Sequence, residues 1–327
     1  MYPFSAASPD PITMKKYIRV ALIGALMGAA EVVPGVSGGT ILFVSGLYER
    51  LVKGIARLTP FSLLELPKIG FAVWWKKYDL GFLFVLFGAM LVSIIVLARS
   101  VSYLLAEHPV GIWSFFFGLV LSSIFVVGRR QLPLSVKSGL ALGVGVAAGM
   151  VVVRVIPFEA EISGLVLFAG GCIAVCAWIL PGLSGSFLLL VLGLYQTVIT
   201  AIKNFELVTL GYVGLGCIVG LMCFSRILTV LLARFHEVTV ALLVGFMLGS
   251  LTKIWPWKYT TSYQIKSDGG QIPVVQEPVL PGAYELLTGR DPEVMLALAA
   301  LVAGFLVIFL MERFAFLKES SAEKYLE

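Results

Sequence analysis

The feature that most constrains this chain is a helix-breaking motif that occurs twice inside apolar sequence. PGVSGGTILFVSGLY at 34–48 returns as PGLSGSFLLLVLGLY at 181–195, an offset of 147 residues. A second similarity, at an offset of 127 residues, relates RSVSYLLA from Arg99 to RILTVLLA from Arg226 and, further on, Gly118 to Gly245. Self-similarity of this length indicates a duplicated structural unit, so we predict that the chain contains two copies of one plan.

The sequence around these motifs has the composition of a membrane protein. Hydrophobic residues make up 59% of the 327 residues and charged residues 13%, and the mean hydropathy is +0.99. These values exclude an ordinary soluble domain. The four cysteines have neither zinc-site nor redox spacing, so we interpret them as packing residues.

Each half of the chain contains five apolar segments. They are 17–33, 40–56, 80–106, 110–128 and 135–154 in the first half, and 163–180, 186–202, 207–233, 237–254 and 293–311 in the second. The first two segments of each half are shorter than the roughly 20 residues that a full span needs. Since no polar loop separates them, we predict two re-entrant hairpins, 17–56 and 163–202, with their tips inside the membrane. Two full crossings joined by a tight turn are the alternative.

The number of crossings in each half fixes the relation between the halves. It is odd under either interpretation, so the second half is predicted to be inserted upside down relative to the first. The expected fold is an all-α polytopic membrane protein with two inverted-topology repeats, 1–157 and 158–327. Each repeat has a re-entrant helical hairpin plus about three transmembrane helices.

Two further segments are predicted outside the membrane core. The segment 57–79 mixes leucine, aromatic and lysine residues, which is typical of a segment lying in the membrane surface. The outer loop 255–291 begins with an interfacial aromatic anchor and is expected to include a small β-hairpin that turns near 268–270.

Each Pro-Gly-x-Ser-Gly motif predicts a helix that starts inside the membrane with a serine N-cap, Ser37 or Ser184. The unpaired N–H groups of its first turn and the helix dipole favour an anion, and glycine lets a ligand approach the backbone closely. The candidate binding residues are Pro34, Gly35, Ser37, Gly38, Gly39 and Thr40 at the first tip, and Pro181, Gly182, Ser184, Gly185 and Ser186 at the second. Alternatively, the motif only breaks the helix so that two hairpins can pack tip to tip.

Three charged residues lie within or beside apolar sequence. Arg99 and Arg226 occupy equivalent positions in the two halves. An arginine at the bilayer centre costs about 3 kcal/mol or more without a partner, and its planar fork suits phosphate; snorkelling from a tilted helix is the alternative. Glu31 precedes the first tip, but its counterpart at the 147 offset is Trp178. A proton-carrying role and a structural pairing with one of the arginines both fit Glu31.

Three stretches, GAAEVVPGVSGGTILFVSGLYERL, WILPGLSGSFLLLVLGLYQ and GSLTKIWPW, together resemble the bacterial polyprenyl-phosphate (undecaprenyl-phosphate) translocase family, PopT, formerly a domain of unknown function. The resemblance covers most of the chain, about 17–258. It implies a transporter, not an enzyme, that returns the carrier lipid of cell-wall synthesis across the bacterial cytoplasmic membrane without metal or cofactor. It also implies a substrate-binding role for the tip residues and Glu31, whereas the assignment of Arg99 and Arg226 rests on the repeat and on chemistry.

The resemblance names undecaprenyl phosphate and membrane lipid as partners. Most lysines and arginines fall on the N-terminal side of the predicted membrane, which places both termini in the cytoplasm. This asymmetry explains the net charge of +5 without nucleic acid. The oligomeric state, a homodimer included, is left open by the sequence.

Two rival functions follow from the same pattern. A membrane-embedded undecaprenyl-pyrophosphate phosphatase resembles this plan, but those enzymes place an arginine directly after the motif serine, where this chain has Gly38 and Gly185. The chain also lacks their paired glutamates, so hydrolysis is disfavoured. A small-anion transporter is compatible with the tips alone.

Overall fold

The computed structural model describes residues 14–33, 36–132, 135–154, 162–265 and 271–323. The first part of the chain forms α1 Met14–Glu31, α2 Gly38–Val44, α3 Tyr48–Arg57, α4 Pro60–Ile69, α5 Phe71–Lys77, α6 Leu80–Glu107, α7 Pro109–Gln131 and α8 Val136–Arg154. The second part forms α9 Gly164–Ile179, α10 Gly185–Val191, α11 Tyr195–Asn204, α12 Leu207–Arg234 and α13 His236–Ser250, which a 3-10 turn extends over Leu251–Ile254. The strands β1 Lys258–Ile265 and β2 Gln271–Pro278 follow, then α14 Pro281–Thr288 and α15 Val294–Glu323.

The described chain is that of a multi-pass, mainly helical membrane protein. Five of its helices are long and apolar enough to cross a bilayer, namely α6, α7, α8, α12 and α13 with its 3-10 extension. A sixth span is reached if α10 and α11, which are bent by 112° at their junction, count as one. The predicted all-α polytopic class is therefore confirmed.

The returning limb of each predicted hairpin is two helices, not one. The segment 40–56 divides into α2 and α3 at Gly46 (φ +75°), and 186–202 divides into α10 and α11 at Gly193 (φ +69°). Glycine adopts positive φ without steric cost, so each short helix ends where its glycine permits the chain to turn. Each of these two apolar segments therefore contains two helices, a division that the sequence analysis did not predict.

Equivalent helix contacts occur twice in the structure. A side chain at Gly118 of α7 would collide with the Leu301 carbonyl of α15, and one at Gly245 of α13 would collide with the Leu142 carbonyl of α8. Gly118 and Gly245 are the residues that the sequence repeat relates. Small residues let helix backbones approach closely in a membrane, so these glycines explain why α7 packs on α15 and α13 on α8.

The first helix of each half shows the same duplication. Gly24 of α1 lies against the Leu86 carbonyl of α6, and Gly171 of α9 lies against the Val213 carbonyl of α12. The Cys172 thiol adds a hydrogen bond across α9 and α12, donating to the carbonyl of Gly216 at 3.0 Å. The cysteine therefore serves helix packing, as expected.

The main hydrophobic core surrounds the predicted hairpin tips. It includes fully buried side chains from α1, α2, α6 and α13, such as Met27, Leu42, Phe82 and Met247. Burial of these large side chains holds the short helix α2 inside the bundle, since close packing gives it many contacts. The helix α10 packs in a smaller cluster through Phe187 and Val191.

The predicted surface segment 57–79 forms α4 and α5, which meet at Gly70. Its apolar side chains are exposed, including Phe61 at 76% and Phe71 at 63%. The indole of Trp74 donates to the Ser62 carbonyl at 2.8 Å and holds the two helices together. An exposed apolar face on a short helical pair is the property a membrane-surface segment needs, and its location there stays a prediction.

The predicted outer loop 255–291 is more structured than the sequence suggested. The strands β1 and β2 pair antiparallel, which confirms the expected hairpin, although its turn at 268–270 lies outside the described residues. The loop also contains α14, which was not predicted. The indole of Trp257 donates to the Pro292 carbonyl at 2.8 Å, and this bond ties the base of the hairpin to the start of α15.

Candidate functional site

The first tip is closed by the chain's own carboxylate. The amide of Gly38 donates to Glu31 Oε1 at 2.8 Å, and the amide of Gly39 donates to the N-cap hydroxyl of Ser37 at 3.1 Å. Residues 36–40 are buried. These two amides were predicted to be open to a ligand; instead, Glu31 occupies the place of an anion at the start of α2, where the helix dipole favours negative charge.

Two hydrogen bonds join the first tip to the second. The amide of Gly182 donates to Thr40 Oγ1 at 3.0 Å, and the hydroxyl of Ser37 donates to the Leu180 carbonyl at 3.3 Å. Thr40 and Ser37 are almost fully buried. Buried polar groups need such partners, so both hydroxyls are committed to the contact between the hairpins.

Glu31 also lies near its own repeat counterpart. The side chain of Trp178 lies near the Glu31 carboxylate, and its ring stacks on Phe87 at a centroid distance of 6.0 Å. Glu31 and Trp178 are the residues that the 147-residue offset relates, so the two halves of the chain come together at these positions. The carboxylate of Glu31 accepts from the Gly38 amide, and no ion pair in the described part of the chain joins it to an arginine, so the predicted structural pairing is not observed there.

The second tip is more open than the first. Ser184 is buried, but Ser186 is exposed, and their hydroxyls lie 2.8 Å apart. Ser184 is the N-cap of α10 without a side-chain capping bond, unlike Ser37. No carboxylate takes the place of Glu31 here, because the equivalent residue is Trp178. The hydroxyl of Ser186 is therefore accessible to a ligand.

The remaining residues of the two motifs have mainly backbone roles. Gly182 has φ +89°, and a side chain there would collide with Ser250 and Met247 of α13. Pro181 is buried, and Gly185 packs against the Ala174 carbonyl. The predicted binding residues Pro34 and Gly35 lie outside the described residues.

The two intramembrane arginines are not buried between the tips. Arg99 on α6 and Arg226 on α12 both have exposed side chains. Within the described ranges, no ion pair or hydrogen bond involves either guanidinium. The expected buried partners are absent from this part of the chain, and both arginines face outward from their helices.

Lys253 lies beside the second tip and is joined to a second lysine, Lys258; neither was predicted as a site residue. The ammonium of Lys253 lies 4.3 Å from the ring centroid of Phe187, which follows Ser186 in α10. The Lys258 side chain covers the Trp113 ring and donates to the Lys253 carbonyl at 3.1 Å. A signal was present in GSLTKIWPW, where a lysine lies near the end of an apolar segment. Lys253 falls in the predicted apolar segment 237–254 and Lys258 in the predicted outer loop 255–291, so neither was assigned to the site.

A polar cavity of about 450 Å³ lies at the other end of α13. Arg50, Lys53 and Arg57 of α3 line it together with His236. Arg50 pairs with Asp79 through two hydrogen bonds of 2.6 and 2.9 Å. Lys53 and His236 share a second carboxylate, that of Glu49. Most of its charges are thus balanced internally.

Metal binding finds no support in the part of the chain that the structure describes. There, no group of three or more His, Cys, Asp or Glu side chains is arranged to hold an ion. The tips present hydroxyls, amides, one carboxylate and nearby ammonium groups. The hydroxyl, amide and ammonium groups can donate hydrogen bonds to an anionic group.

Comparison with known proteins gives a consistent family. The family model described as "Undecaprenyl phosphate translocase-like" matches residues 27–272. A protein of Vibrio cholerae named polyprenyl-phosphate transporter is 43% identical over 302 residues, which cover 91% of this chain and 97% of the relative. A Staphylococcus aureus protein of the same name is 30% identical over 262 residues, covering 74% of this chain and 87% of the relative. No solved structure matches.

Proposed function

Because this chain belongs to the undecaprenyl phosphate translocase-like family, we propose that it transports undecaprenyl phosphate across the bacterial cytoplasmic membrane for recycling in cell-wall synthesis. The names of its relatives support polyprenyl phosphate as the substrate class. Only the phosphate head needs a polar path through the bilayer core, since the isoprenoid tail is as apolar as the lipid around it. The protein then has to shelter the head alone.

The observation that carries this proposal is the contact between the two hairpin tips. Thr40 accepts from Gly182, and Ser37 donates to the Leu180 carbonyl, inside a bundle whose outer surface is apolar. Polar groups buried in this position are costly, and in membrane proteins they mark the path of a polar ligand. We assign the head to this meeting point, with the open second tip, at Ser184 and Ser186, as its contact in the present conformation.

The same proposal includes the inverted architecture. We assign 1–157 and 158–327 to two repeats of opposite orientation, each with a re-entrant hairpin. The duplicated glycine contacts and the 112° bend between α10 and α11 support it. Such repeats allow one bundle to rock against the other around a central site, which gives alternating access. The distribution of basic residues favours cytoplasmic termini.

We further propose transport without hydrolysis. Gly38 and Gly185 stand where the related phosphatases carry arginine, and the relatives are named as transporters. Arg99 and Arg226 face outward, where an anionic lipid head can reach them from the bilayer. Their guanidinium groups could therefore guide the phosphate head along the protein surface. Glu31 remains the candidate for coupling to protons.

The sharpest test of the tip contact is Thr40→Val. Valine keeps the shape but leaves the buried Gly182 amide without an acceptor, which costs about 1–3 kcal/mol. We expect undecaprenyl phosphate transport in proteoliposomes, followed with a leaflet-resolved probe, to fall at least roughly five-fold, the factor that about 1 kcal/mol produces. Thr239→Val is the matched control, because the buried Thr239 hydroxyl bonds within its own helix to the Phe235 carbonyl at 2.8 Å.

The same vesicles separate the rival functions. Inorganic phosphate released from undecaprenyl pyrophosphate by the purified protein would establish the phosphatase and refute transport without hydrolysis. Passage of inorganic phosphate, with no movement of the lipid, would establish the small-anion transporter. Arg226→Ala is expected to slow lipid transport, whereas Arg290→Ala on the exposed outer segment is expected to leave it unchanged.

A further inference from the structure

Lys253, beside the second tip, and Lys258 form a pair of cationic side chains. The Lys258 side chain is only 9% exposed, and Lys253 is half-buried. The two residues are in direct contact: the Lys258 ammonium donates a hydrogen bond to the Lys253 carbonyl at 3.1 Å. Lys253 lies where the end of α13 meets Phe187 of α10, whereas Lys258 begins β1 and lies over Trp113 of α7. The neighbouring Gly182 packs against Ser250 of the same end of α13.

Neither lysine has a carboxylate partner in the described ranges. The five ion pairs found there involve other residues. Each ammonium instead faces an aromatic ring: Lys253 faces Phe187 at 4.3 Å and Lys258 faces Trp113. A cation–π contact compensates only part of the loss of hydration, so a buried ammonium without a counter-ion is normally avoided.

Two like charges at close range add a second unfavourable interaction. Burial, and then the charge of Lys253, hold the pKa of Lys258 well below its ordinary value. A bound anion would reverse both effects by replacing lost hydration and balancing the charges. The lysines thus have the properties of an anion site that awaits its ligand.

The position of this pair selects the ligand chemistry. Phe187 directly follows Ser186, whose exposed hydroxyl lies 2.8 Å from that of Ser184. Ammonium groups are compact charges with three donors each and suit the oxygens of a phosphate, and hydroxyl groups donate to the same oxygens. The first tip offers no equivalent, because there Glu31 holds the Gly38 amide at 2.8 Å.

We propose that Lys253 and Lys258, with the hydroxyls of Ser184 and Ser186, bind the phosphate group of the substrate at the second tip while Glu31 keeps the first tip closed. This inference rests on the proposed function and assigns different roles to the two tips. The second tip binds the phosphate head, whereas the first tip is occupied by the Glu31 carboxylate. We assign the bound phosphate group to the head of a lipid. The alternative ligand with the same chemistry is free inorganic phosphate.

The test is ligand binding to the full-length protein in nanodiscs, with farnesyl phosphate and inorganic phosphate as separate probes. Lys253→Met is expected to weaken farnesyl phosphate binding at least about ten-fold, because a charge-assisted contact is lost. Lys258→Met should act in the same direction, and Lys253→Arg should stay close to the wild type. Lys203→Met removes an exposed lysine from the end of α11 and should change nothing.

Thermal unfolding without ligand provides a readout that a merely structural role would not share. Removing an unpaired buried charge should leave the melting temperature of Lys253→Met unchanged or higher, while the stabilisation by farnesyl phosphate is lost. A lower melting temperature with unchanged binding would overturn the inference, as would equal binding by the wild type and both methionine variants.

The outcomes separate this inference from the proposed function. If the wild type transports polyprenyl phosphate and both methionine variants still bind it normally, the lysine site is refuted and the proposed transport function stands. Wild-type protein that neither binds nor transports the lipid refutes both. Lysine-dependent binding of inorganic phosphate, with farnesyl phosphate unaffected, would refute the lipid head as the source.

Discussion

Glu31→Ala is expected to abolish most transport and to destabilise the protein. The substitution removes the acceptor of the Gly38 amide and the carboxylate beside Trp178. Each buried group left without a partner costs about 1–3 kcal/mol. A loss of about 2 kcal/mol from the arrangement in which the tips meet lowers its population roughly thirty-fold. Leaflet-resolved transport in proteoliposomes and thermal unfolding in detergent measure the two effects.

Glu31→Gln separates the structural role of this residue from a role in proton coupling. The amide oxygen of glutamine can still accept from Gly38, so we expect this variant to stay folded with a melting temperature near the wild type. It cannot take up or release a proton, so its transport should no longer respond to a proton gradient. Full transport with a normal gradient response would contradict proton coupling and leave Glu31 a purely structural residue.

The matched control for both variants is Glu107→Ala. Glu107, like Glu31, is the last residue of its helix, but it is exposed. Surface substitutions away from special contacts usually change stability by about 0.5 kcal/mol or less. If Glu107→Ala reduced transport as strongly as Glu31→Ala, charge at the ends of helices would be the cause, and the assignment to the tip would fail.

Gly145→Val is expected to give the largest loss of folded protein. A side chain at Gly145 of α8 would collide with the Leu242 carbonyl and the Phe246 amide of α13. Backbone groups cannot move aside as a flexible side chain does, so the helices must separate, at a cost of about 3 kcal/mol or more. The measurement is the yield of monodisperse protein in detergent and its melting temperature.

Gly143→Val on the same helix is the control for this prediction. No atom lies within 4 Å of the position that its Cβ would take. Valine there faces open space, so yield and melting temperature should remain near those of the wild type. The repeat supplies an independent check, because Gly304→Val would collide with the Phe115 carbonyl in the equivalent contact between α15 and α7 and should fail in the same way. Normal folding of Gly145→Val would refute the close approach of α8 and α13.

Much of this fold follows from local sequence. Apolar length predicts the long helices such as α6 and α12, because a bilayer leaves backbone groups no partner except those in the helix itself. The offsets of 147 and 127 residues identify equivalent positions, and Gly118 and Gly245 do make equivalent contacts. The β-hairpin follows from its Asp-Gly-Gly turn residues. The breaks at Gly46 and Gly193 were missed because a single glycine within an apolar segment does not by itself indicate positive φ.

The candidate site could be predicted only in part. The sequence identified the residues of both tips and the asymmetry between Glu31 and Trp178. It did not show that these two residues lie close together, or that Glu31 takes the place of an anion at the first tip. It also grouped Arg99 and Arg226 with the tips, although both face outward. It assigned neither Lys253, in the predicted apolar segment 237–254, nor Lys258, in the predicted outer loop, to the site.

By itself, then, the sequence determined the membrane-protein class, the long helices and the repeated motifs, because these depend on hydrophobicity and on residue order along one segment. Tertiary structure decided which tip is closed and which is open. That choice depends on which polar groups from distant segments satisfy the unpaired amides in the low-dielectric core. Glu31 reaches the Gly38 amide at the first tip, whereas the second tip has Trp178 in the equivalent position and two ammonium groups nearby.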